Sequence, residues 1–208
     1  MDREHSMPIK AFALNCTLKP SGKPSSTDAM IGLLQKDLAA LGVEVGEPIR
    51  VADHDVKPGV TSDEGAGDAW PDLRRQVLEA DILILGTPIW MGQPSSVCKR
   101  VLERMDAFLG ETDGQGRMVS YGKVALVAVV GNEDGAHHVS AELFQALNDV
   151  GFTLAANAVC YWVGEAMQKT DFQDLGKVPD KVVSTSAMAA RNAAHLARLL
   201  KEKQYPGE

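Results

Sequence analysis

The chain has 208 residues, a length that favours one domain with its own hydrophobic core over residues 1–208. Its net charge of −7 argues against a nucleic-acid partner, because sequence-independent binding to phosphates needs a basic surface. The apolar runs are all much shorter than the ~20 residues of a membrane-spanning helix. Residues 1–7 lack the apolar stretch of a secretory signal, so we expect a cytoplasmic protein with these residues as a disordered leader.

Short apolar segments alternate along the chain with segments of helical periodicity. The third and fourth predicted strands are apolar on both faces, as strands are in a parallel sheet covered by helices. Strict alternation of strands and helices predicts an α/β fold with a parallel sheet between two layers of helices. The predicted strands are 9–14, 43–51, 81–86, 123–130 and 153–161, and the predicted helices are 30–41, 70–80, 94–108, 138–150 and 180–203.

The loop after the first strand is a candidate phosphate site, since ligands of an open parallel sheet bind outside the carboxyl ends of its strands. This loop carries Thr17, Ser25, Ser26 and Thr27 and runs directly into a helix. Hydroxyl groups and the unpaired N–H groups of a helix start together bind anions. The alternative is that Ser26 or Thr27 only caps the helix. The motifs G-x-G-x-x-G and G-x-x-x-x-G-K-[ST] are both absent.

Large apolar side chains stand in the loops after the third and fifth strands. Ile89, Trp90 and Met91 follow the third strand, and Tyr161 and Trp162 end the fifth. A flat aromatic ligand explains apolar side chains in loops that normally face water. Contact with a neighbouring helix or with another subunit is the alternative for the first of these loops.

The sequence offers little for catalysis by side chains. No G-x-S-x-G nucleophile motif occurs, and Cys98 lies within a predicted helix as a packed thiol. The carboxylates of Glu133 and Asp134 have the pattern of solvated turn residues. The three cysteines are widely spaced, which favours free thiols in a reducing compartment and predicts no metal site.

Residues 87–108, TPIWMGQPSSVCKRVLERMDAF, resemble the signature of the flavodoxin-like NAD(P)H-dependent FMN reductases and related quinone reductases. In that family a strand ending in T-P-x-Y/W leads through a glycine to a helix that starts with small residues. The family also places Ser and Thr after its first strand and at the start of the following helix. The resemblance extends over residues 9–200 and implies a flavodoxin-like three-layer α/β/α sandwich with five parallel strands in the order 2-1-3-4-5.

The resemblance also implies an FMN site made by three loops. It assigns the phosphate to hydroxyl groups, the isoalloxazine ring to the loop after the third strand, and the other edge of the ring to the loop after the fourth. Backbone N–H groups near residues 91–93 and 132–135 would stabilise negative charge on the reduced ring. The implied cofactor-binding residues are Thr17, Ser25, Ser26, Thr27, Pro88, Ile89, Trp90, Met91, Gly92, Asn132, Glu133, Asp134 and Gly135, with Trp90 and Trp162 as walls of a substrate pocket.

The function that the resemblance implies is hydride transfer from NADH or NADPH through FMN to a quinone, free flavin or a similar small acceptor. Hydride transfer itself needs no side-chain acid or base, so no catalytic residue is implied. Members of the family commonly form homodimers or homotetramers, which implies the same here. The alternative is a non-enzymatic flavin-binding electron carrier or regulatory module, for which the acidic charge would suit docking to a basic redox partner.

Overall fold

The computed structural model describes residues 8–166 and 168–207, and the predicted leader at residues 1–7 lies outside the described residues. None of the helices in this part of the chain is long and apolar enough to cross a lipid bilayer. The strands are β1 (Lys10–Asn15), β2 (Glu44–Val45), β3 (Ile49–Arg50), β4 (Ile82–Trp90), β5 (Gln93–Pro94), β6 (Val124–Gly131) and β7 (Thr153–Val163). The α-helices are α1 (Ser26–Ala40), α2 (Trp70–Glu79), α3 (Ser96–Met105), α4 (Ala136–Asp149) and α5 (Asp180–Glu202), and short 3-10 helices occupy Val51–Asp53, Asp106–Gly110 and Phe172–Asp174.

The sheet is mainly parallel and follows the order β2-β1-β4-β6-β7. The parallel α/β arrangement is confirmed, but the predicted five-stranded sheet in the order 2-1-3-4-5 is corrected to a sheet of seven strands. Gly46 and Pro48 interrupt the predicted second strand, which therefore forms two short pieces, β2 and β3, that both pair with β1. In addition, β5 pairs antiparallel with the end of β4, at a position predicted to begin a helix.

Both faces of the sheet are covered by helices, as predicted. Along β4, Ile82 and Ile84 face a core cluster built with α1 and α5, whereas Leu83 and Leu85 face a second cluster built with α2, α3 and α4. All four side chains are at most 1% exposed. Burying each of them stabilises the fold by roughly 1.5–3 kcal/mol, which explains why this strand is apolar at successive positions.

The carboxyl ends of the central strands meet at one edge of the sheet. The register pairs Asn15 of β1 with Gly86 of β4, and Pro88 of β4 with Val130 of β6. Gly86 allows α1 to pack close to β4, because a Cβ atom at this position would lie 2.6 Å from Cδ1 of Ile31. The start of α1 and the loops after β4 and β6 are therefore brought together.

The long polar connection between β3 and α2 is tied to α3 by a buried ion pair. A guanidinium nitrogen of Arg104 lies 2.7 Å from the carboxylate of Asp68, and both side chains are 0% exposed. Arg104 also donates hydrogen bonds to the carbonyl oxygens of Lys57 and Thr61, both at 2.9 Å. This polar segment is thus attached to the core by charge and hydrogen bonds.

Candidate functional site

A cleft opens at the carboxyl ends of β1, β4, β6 and β7, where the sequence predicts a ligand. Its cavity volume is about 140 Å³. Most of the predicted site residues line it, whereas Met91, Gly92, Asp134 and Gly135 lie outside its lining. The lining residues are Thr17, Lys19, Ser25, Ser26, Thr27, Pro88, Ile89, Trp90, Val130, Gly131, Asn132, Glu133, Trp162, Asp171 and Phe172.

The start of α1 is a candidate anion site at one end of the cleft. Ser25 caps the helix, because its Oγ accepts a hydrogen bond from the N–H of Asp28 at 3.3 Å. The cap is therefore Ser25 rather than Ser26 or Thr27. The backbone N–H groups of Ser26 and Thr27 have no acceptor among the described residues. Together with the adjacent hydroxyl groups and the positive end of the helix dipole, they can bind a phosphate.

Asp28 lies in the first turn of α1, but its negative charge is neutralised within the protein. Its carboxylate pairs with Arg50 and accepts a hydrogen bond from the side-chain amide of Asn15. Arg50 also donates to the carbonyl oxygen of Pro20 at 2.6 Å, which connects the loop after β1 to β3. Asp28 therefore leaves the start of α1 able to accept an anion.

The loop after β1 places a hydroxyl group and a cation beside the start of α1. The backbone N–H of Thr17 donates to Oδ1 of Asn15 at 2.9 Å, and Thr17 is only 5% exposed. The ammonium group of Lys19 donates to the carbonyl oxygen of Pro24 at 3.2 Å. Among the described residues that line the cleft, Lys19 is the only Lys or Arg, so the positive side-chain charge stands at the anion end.

Two cysteines that are distant in the sequence meet behind this loop. Cys16 and Cys98 are both 0% exposed, and the prediction that Cys98 is a packed thiol is confirmed. Burial raises the pKa of the Cys16 thiol and a hydrogen bond with Cys98 raises it further, so this thiol stays protonated and unreactive. The hydroxyl of Ser95 donates to the carbonyl oxygen of Cys16 at 2.6 Å, which joins the start of α3 to the end of β1.

The loop after β4 is a short hairpin, whereas the sequence predicts an irregular loop and a helix start. Ile89 pairs with Pro94 and Trp90 pairs with Gln93. Met91 and Gly92 form the two-residue turn, with φ angles of 54° and 72°. Trp90 lines the cleft and is 53% exposed, whereas Met91 stands at the tip of the hairpin with 89% of its surface exposed.

We expect Met91→Asn to raise the free energy of unfolding by about 0.5–1 kcal/mol, because asparagine tolerates a positive φ better than methionine does. Urea denaturation measures this gain. Met91→Leu is the matched control, since leucine keeps the size, the apolar character and the backbone strain. An equal gain in the leucine variant would show that the backbone conformation is not the cause.

The hairpin packs directly against the loop after β6. The N–H of Gly92 donates to Oε1 of Glu133 at 3.4 Å, and the N–H of Gly135 donates to Oδ1 of Asp134 at 2.7 Å. A Cβ atom at Gly135 would lie only 2.8 Å from Cα of Gly92. These two N–H groups are engaged with carboxylates, so they are not the free donors to a reduced ring that the resemblance implies.

The segment after β7 forms a wall of the cleft that the sequence did not predict. Phe172 is 3% exposed, and its ring centroid lies 5.6 Å from that of Trp162. Nδ2 of Asn132 donates to the carboxylate of Asp171 at 3.3 Å. The lining residues that sequence reasoning missed are Lys19, Val130, Gly131, Asp171 and Phe172.

The chemistry of these residues fits FMN. The free N–H groups and hydroxyl groups at the start of α1, with Lys19, suit a phosphate. Trp90 and Trp162 offer flat apolar surfaces that suit an aromatic ring system. Because both sets of residues line one cleft, a single ligand with a phosphate end and an aromatic end can contact both.

Comparison with known proteins agrees with this geometry. The sequence model of the NADPH-dependent FMN reductase family matches residues 9–168. The chain is 34% identical over 212 residues to 8-demethyl-8-aminoriboflavin-5′-phosphate synthase of Streptomyces davaonensis, with 96% of this chain and 81% of that protein covered. It is also 34% identical over 200 residues to a Mycobacterium bovis protein named divalent metal cation transporter MntH, with 93% of this chain and 29% of that protein covered. The chain therefore spans less than a third of the length of this second relative.

A solved structure of a protein that binds a flavin phosphate is also similar to this chain. RosB with the bound intermediate 8-demethyl-8-formylriboflavin-5′-phosphate superposes on the chain with a TM-score of 0.84 at 30% identity. The match covers 95% of this chain and 82% of that chain. A flavodoxin from the domain Archaea superposes on the chain with a TM-score of 0.55 at 12% identity, and the match covers 90% of this chain and 100% of that chain. The flavodoxin-like fold implied by the sequence resemblance is thereby confirmed, apart from the number of strands.

Proposed function

Because the chain belongs to the NADPH-dependent FMN reductase family, with FMN as cofactor and NAD(P)H as reductant, we propose that it transfers hydride from NADH or NADPH through FMN to a small acceptor. A quinone, free flavin or a similar small molecule is the acceptor we propose. The observation that carries the proposal is that one cleft joins the anion site at the start of α1 to the aromatic surfaces of Trp90 and Trp162.

The residues of the cleft bind and orient in this proposal. FMN, when bound, supplies the redox chemistry. The N–H groups of Ser26 and Thr27 and the hydroxyl of Thr17 hold its phosphate, and Lys19 adds a countercharge. Ile89, in the first strand of the hairpin, is buried, whereas its neighbour Trp90 is half-exposed, and both line the cleft. No side chain is assigned a proton-transfer role, because hydride transfer to a flavin does not require one.

Binding of FMN and of riboflavin to the purified protein tests the phosphate site. We expect the protein to bind FMN with its yellow absorption spectrum, and Lys19→Gln to weaken FMN binding by about 3–10-fold in low salt while leaving riboflavin binding unchanged. Lys23→Gln is the matched control, since Lys23 lies in the same loop but does not line the cleft. A protein that takes up no FMN would contradict the proposal.

Oxidation of NADH or NADPH in the presence of quinones and of free flavin tests turnover. We expect FMN-dependent consumption of at least one of the two nicotinamide cofactors, with the flavin recovered unchanged after many turnovers. A yellow protein that shows no turnover with any acceptor would instead support a non-enzymatic electron carrier or regulatory module.

A second candidate function is covalent modification of a flavin phosphate, in which the bound flavin is the substrate. It is favoured by 34% identity to 8-demethyl-8-aminoriboflavin-5′-phosphate synthase and by the fit to RosB, which holds a modified flavin phosphate. Mass spectrometry of the flavin after incubation distinguishes the two functions. A changed flavin mass would support modification, and an unchanged flavin with sustained NAD(P)H oxidation would support the reductase.

A further inference from the structure

We propose that Asp171 is a positioning residue that fixes the side chain of Asn132, so that the amide oxygen of Asn132 accepts a hydrogen bond from an N–H group on the flavin ring. This inference rests on the proposed flavin site. It adds that the wall containing Asn132 recognises an N–H group of the flavin ring. Both residues line the cleft.

The orientation of the Asn132 amide follows from its two neighbours. Nδ2 of Asn132 donates to the carbonyl oxygen of Gln168 at 3.1 Å and to Oδ1 of Asp171 at 3.3 Å. A carbonyl and an ionised carboxylate can only accept hydrogen bonds, so the nitrogen of the amide must face them. The opposite orientation would place an oxygen against two oxygens and leave the NH2 group without these acceptors.

This orientation leaves the amide oxygen for a ligand. Oδ1 of Asn132 has no donor among the described residues, and Asn132 is partly buried in the cleft wall. A partly buried acceptor is complemented by an N–H donor of the ligand. The oxidised isoalloxazine ring carries one such donor, the imide N–H at position 3, between two carbonyl groups.

The segment that carries Asp171 is itself anchored to the fold. The backbone N–H of Gln173 donates to Oγ of Ser26 at 3.3 Å, and Phe172 packs on Trp162 within the core. These contacts hold the carboxylate of Asp171 between the core and the loop after β6. Asp171 lies beyond residue 168, where the match to the family ends, so its role is an inference from this chain's own geometry.

The test compares the affinities of FMN and N3-methyl-FMN, in which the imide N–H is replaced. We expect the protein to bind FMN at least about 10-fold more tightly than the methylated analogue, since the acceptor on Asn132 would lose its donor. Asp171→Ala should reduce this ratio to within about 3-fold, because the amide is then held only by Gln168. Asp171→Asn keeps an oxygen acceptor at this position and should preserve the ratio.

Controls separate positioning by Asp171 from a general effect of charge in this segment. Asp174→Ala removes an exposed carboxylate from the same segment and should leave the ratio unchanged. In Asn132→Ala the ratio of the affinities for FMN and N3-methyl-FMN should fall to within about 3-fold. Adding Asp171→Ala to this variant should not change the ratio further. Thermal melting of each variant reports folding separately from the ratio.

The outcomes distinguish this inference from the proposed function. Failure of the wild-type protein to bind FMN at all would contradict the proposed flavin site, and with it the proposed function. Equal binding of FMN and N3-methyl-FMN by the wild-type protein would overturn only the inference, as would a ratio that persists in Asn132→Ala or in folded Asp171→Ala.

Discussion

Asp68→Ala should lower the free energy of unfolding by about 3–5 kcal/mol, because it leaves the charge of Arg104 buried without its partner. Both side chains are 0% exposed and 2.7 Å apart. Asp68 also accepts hydrogen bonds from the backbone N–H groups of Lys57, Glu64 and Trp70, at 3.2, 2.9 and 3.1 Å. The substitution therefore removes the partner of a buried cation and the acceptor of three N–H groups at once.

Urea denaturation and thermal melting measure this loss. A loss of 3–5 kcal/mol corresponds to a fall in melting temperature of roughly 6–20 °C for a chain of this length. Asp72→Ala is the control, since Asp72 is 85% exposed and lies 3.7 Å from Arg75 in a surface ion pair. Its cost should be below about 1 kcal/mol. Equal losses in the two variants would show that the buried pair does not hold the segment.

The effect of Asp68→Ala should depend on pH. Burial by itself raises the pKa of Asp68, but Arg104 and the backbone N–H groups more than offset this and hold the pKa well below its ordinary value. The stabilisation by the ionised carboxylate is therefore fully present above the unfolded pKa of about 3.9 and is lost as the pH falls toward the folded pKa. The difference between wild type and variant should shrink below about pH 4.

The end of the sheet at which the cleft opens could be predicted because its signals are local. Continuous apolar strands indicate a parallel sheet, and the rule for such sheets places ligands after the strands. Thr17 after β1 and Trp90 at the end of β4 could then be assigned to one cleft from residue type alone. The structure places both in that cleft.

The turn after Trp90 could not be predicted from its residues. A two-residue hairpin turn with positive φ at both positions is usually indicated by Asn-Gly or Asp-Gly, and the chain has Met91-Gly92. Proline at position 94 and the following serines indicated a helix start instead. Tertiary contact with the loop after β6 therefore decides the local structure here.

The wall formed by Asp171 and Phe172 depends on how the chain reverses after β7. The segment has no helical or strand periodicity, and its partners Asn132 and Trp162 lie in other elements. The ion pair of Asp68 and Arg104 could not be predicted either, because its two residues also lie in different parts of the fold. Nothing in the sequence distinguishes Asp68 from the other acidic residues of its polar segment, because only packing against α3 selects it.

Gly135 controls the contact between the two loops that carry Trp90 and Asn132. Its φ angle of 122° lies where side chains are strained, and a Cβ atom would lie 2.8 Å from Cα of Gly92. Because the obstructing atom belongs to the backbone, a rotamer change cannot relieve the contact. The hairpin and the loop after β6 would have to move apart.

Gly135→Ala should therefore weaken FMN binding by at least about 10-fold and lower the free energy of unfolding by about 1–3 kcal/mol. Fluorescence titration with FMN and urea denaturation measure the two effects. Gly32→Ala is the matched control, because Gly32 lies within α1, where an added Cβ atom would have no neighbour within 4 Å, and should gain about 0.5–1 kcal/mol without changing FMN affinity. Wild-type FMN affinity in Gly135→Ala would show that the spacing of these two loops does not shape the flavin site.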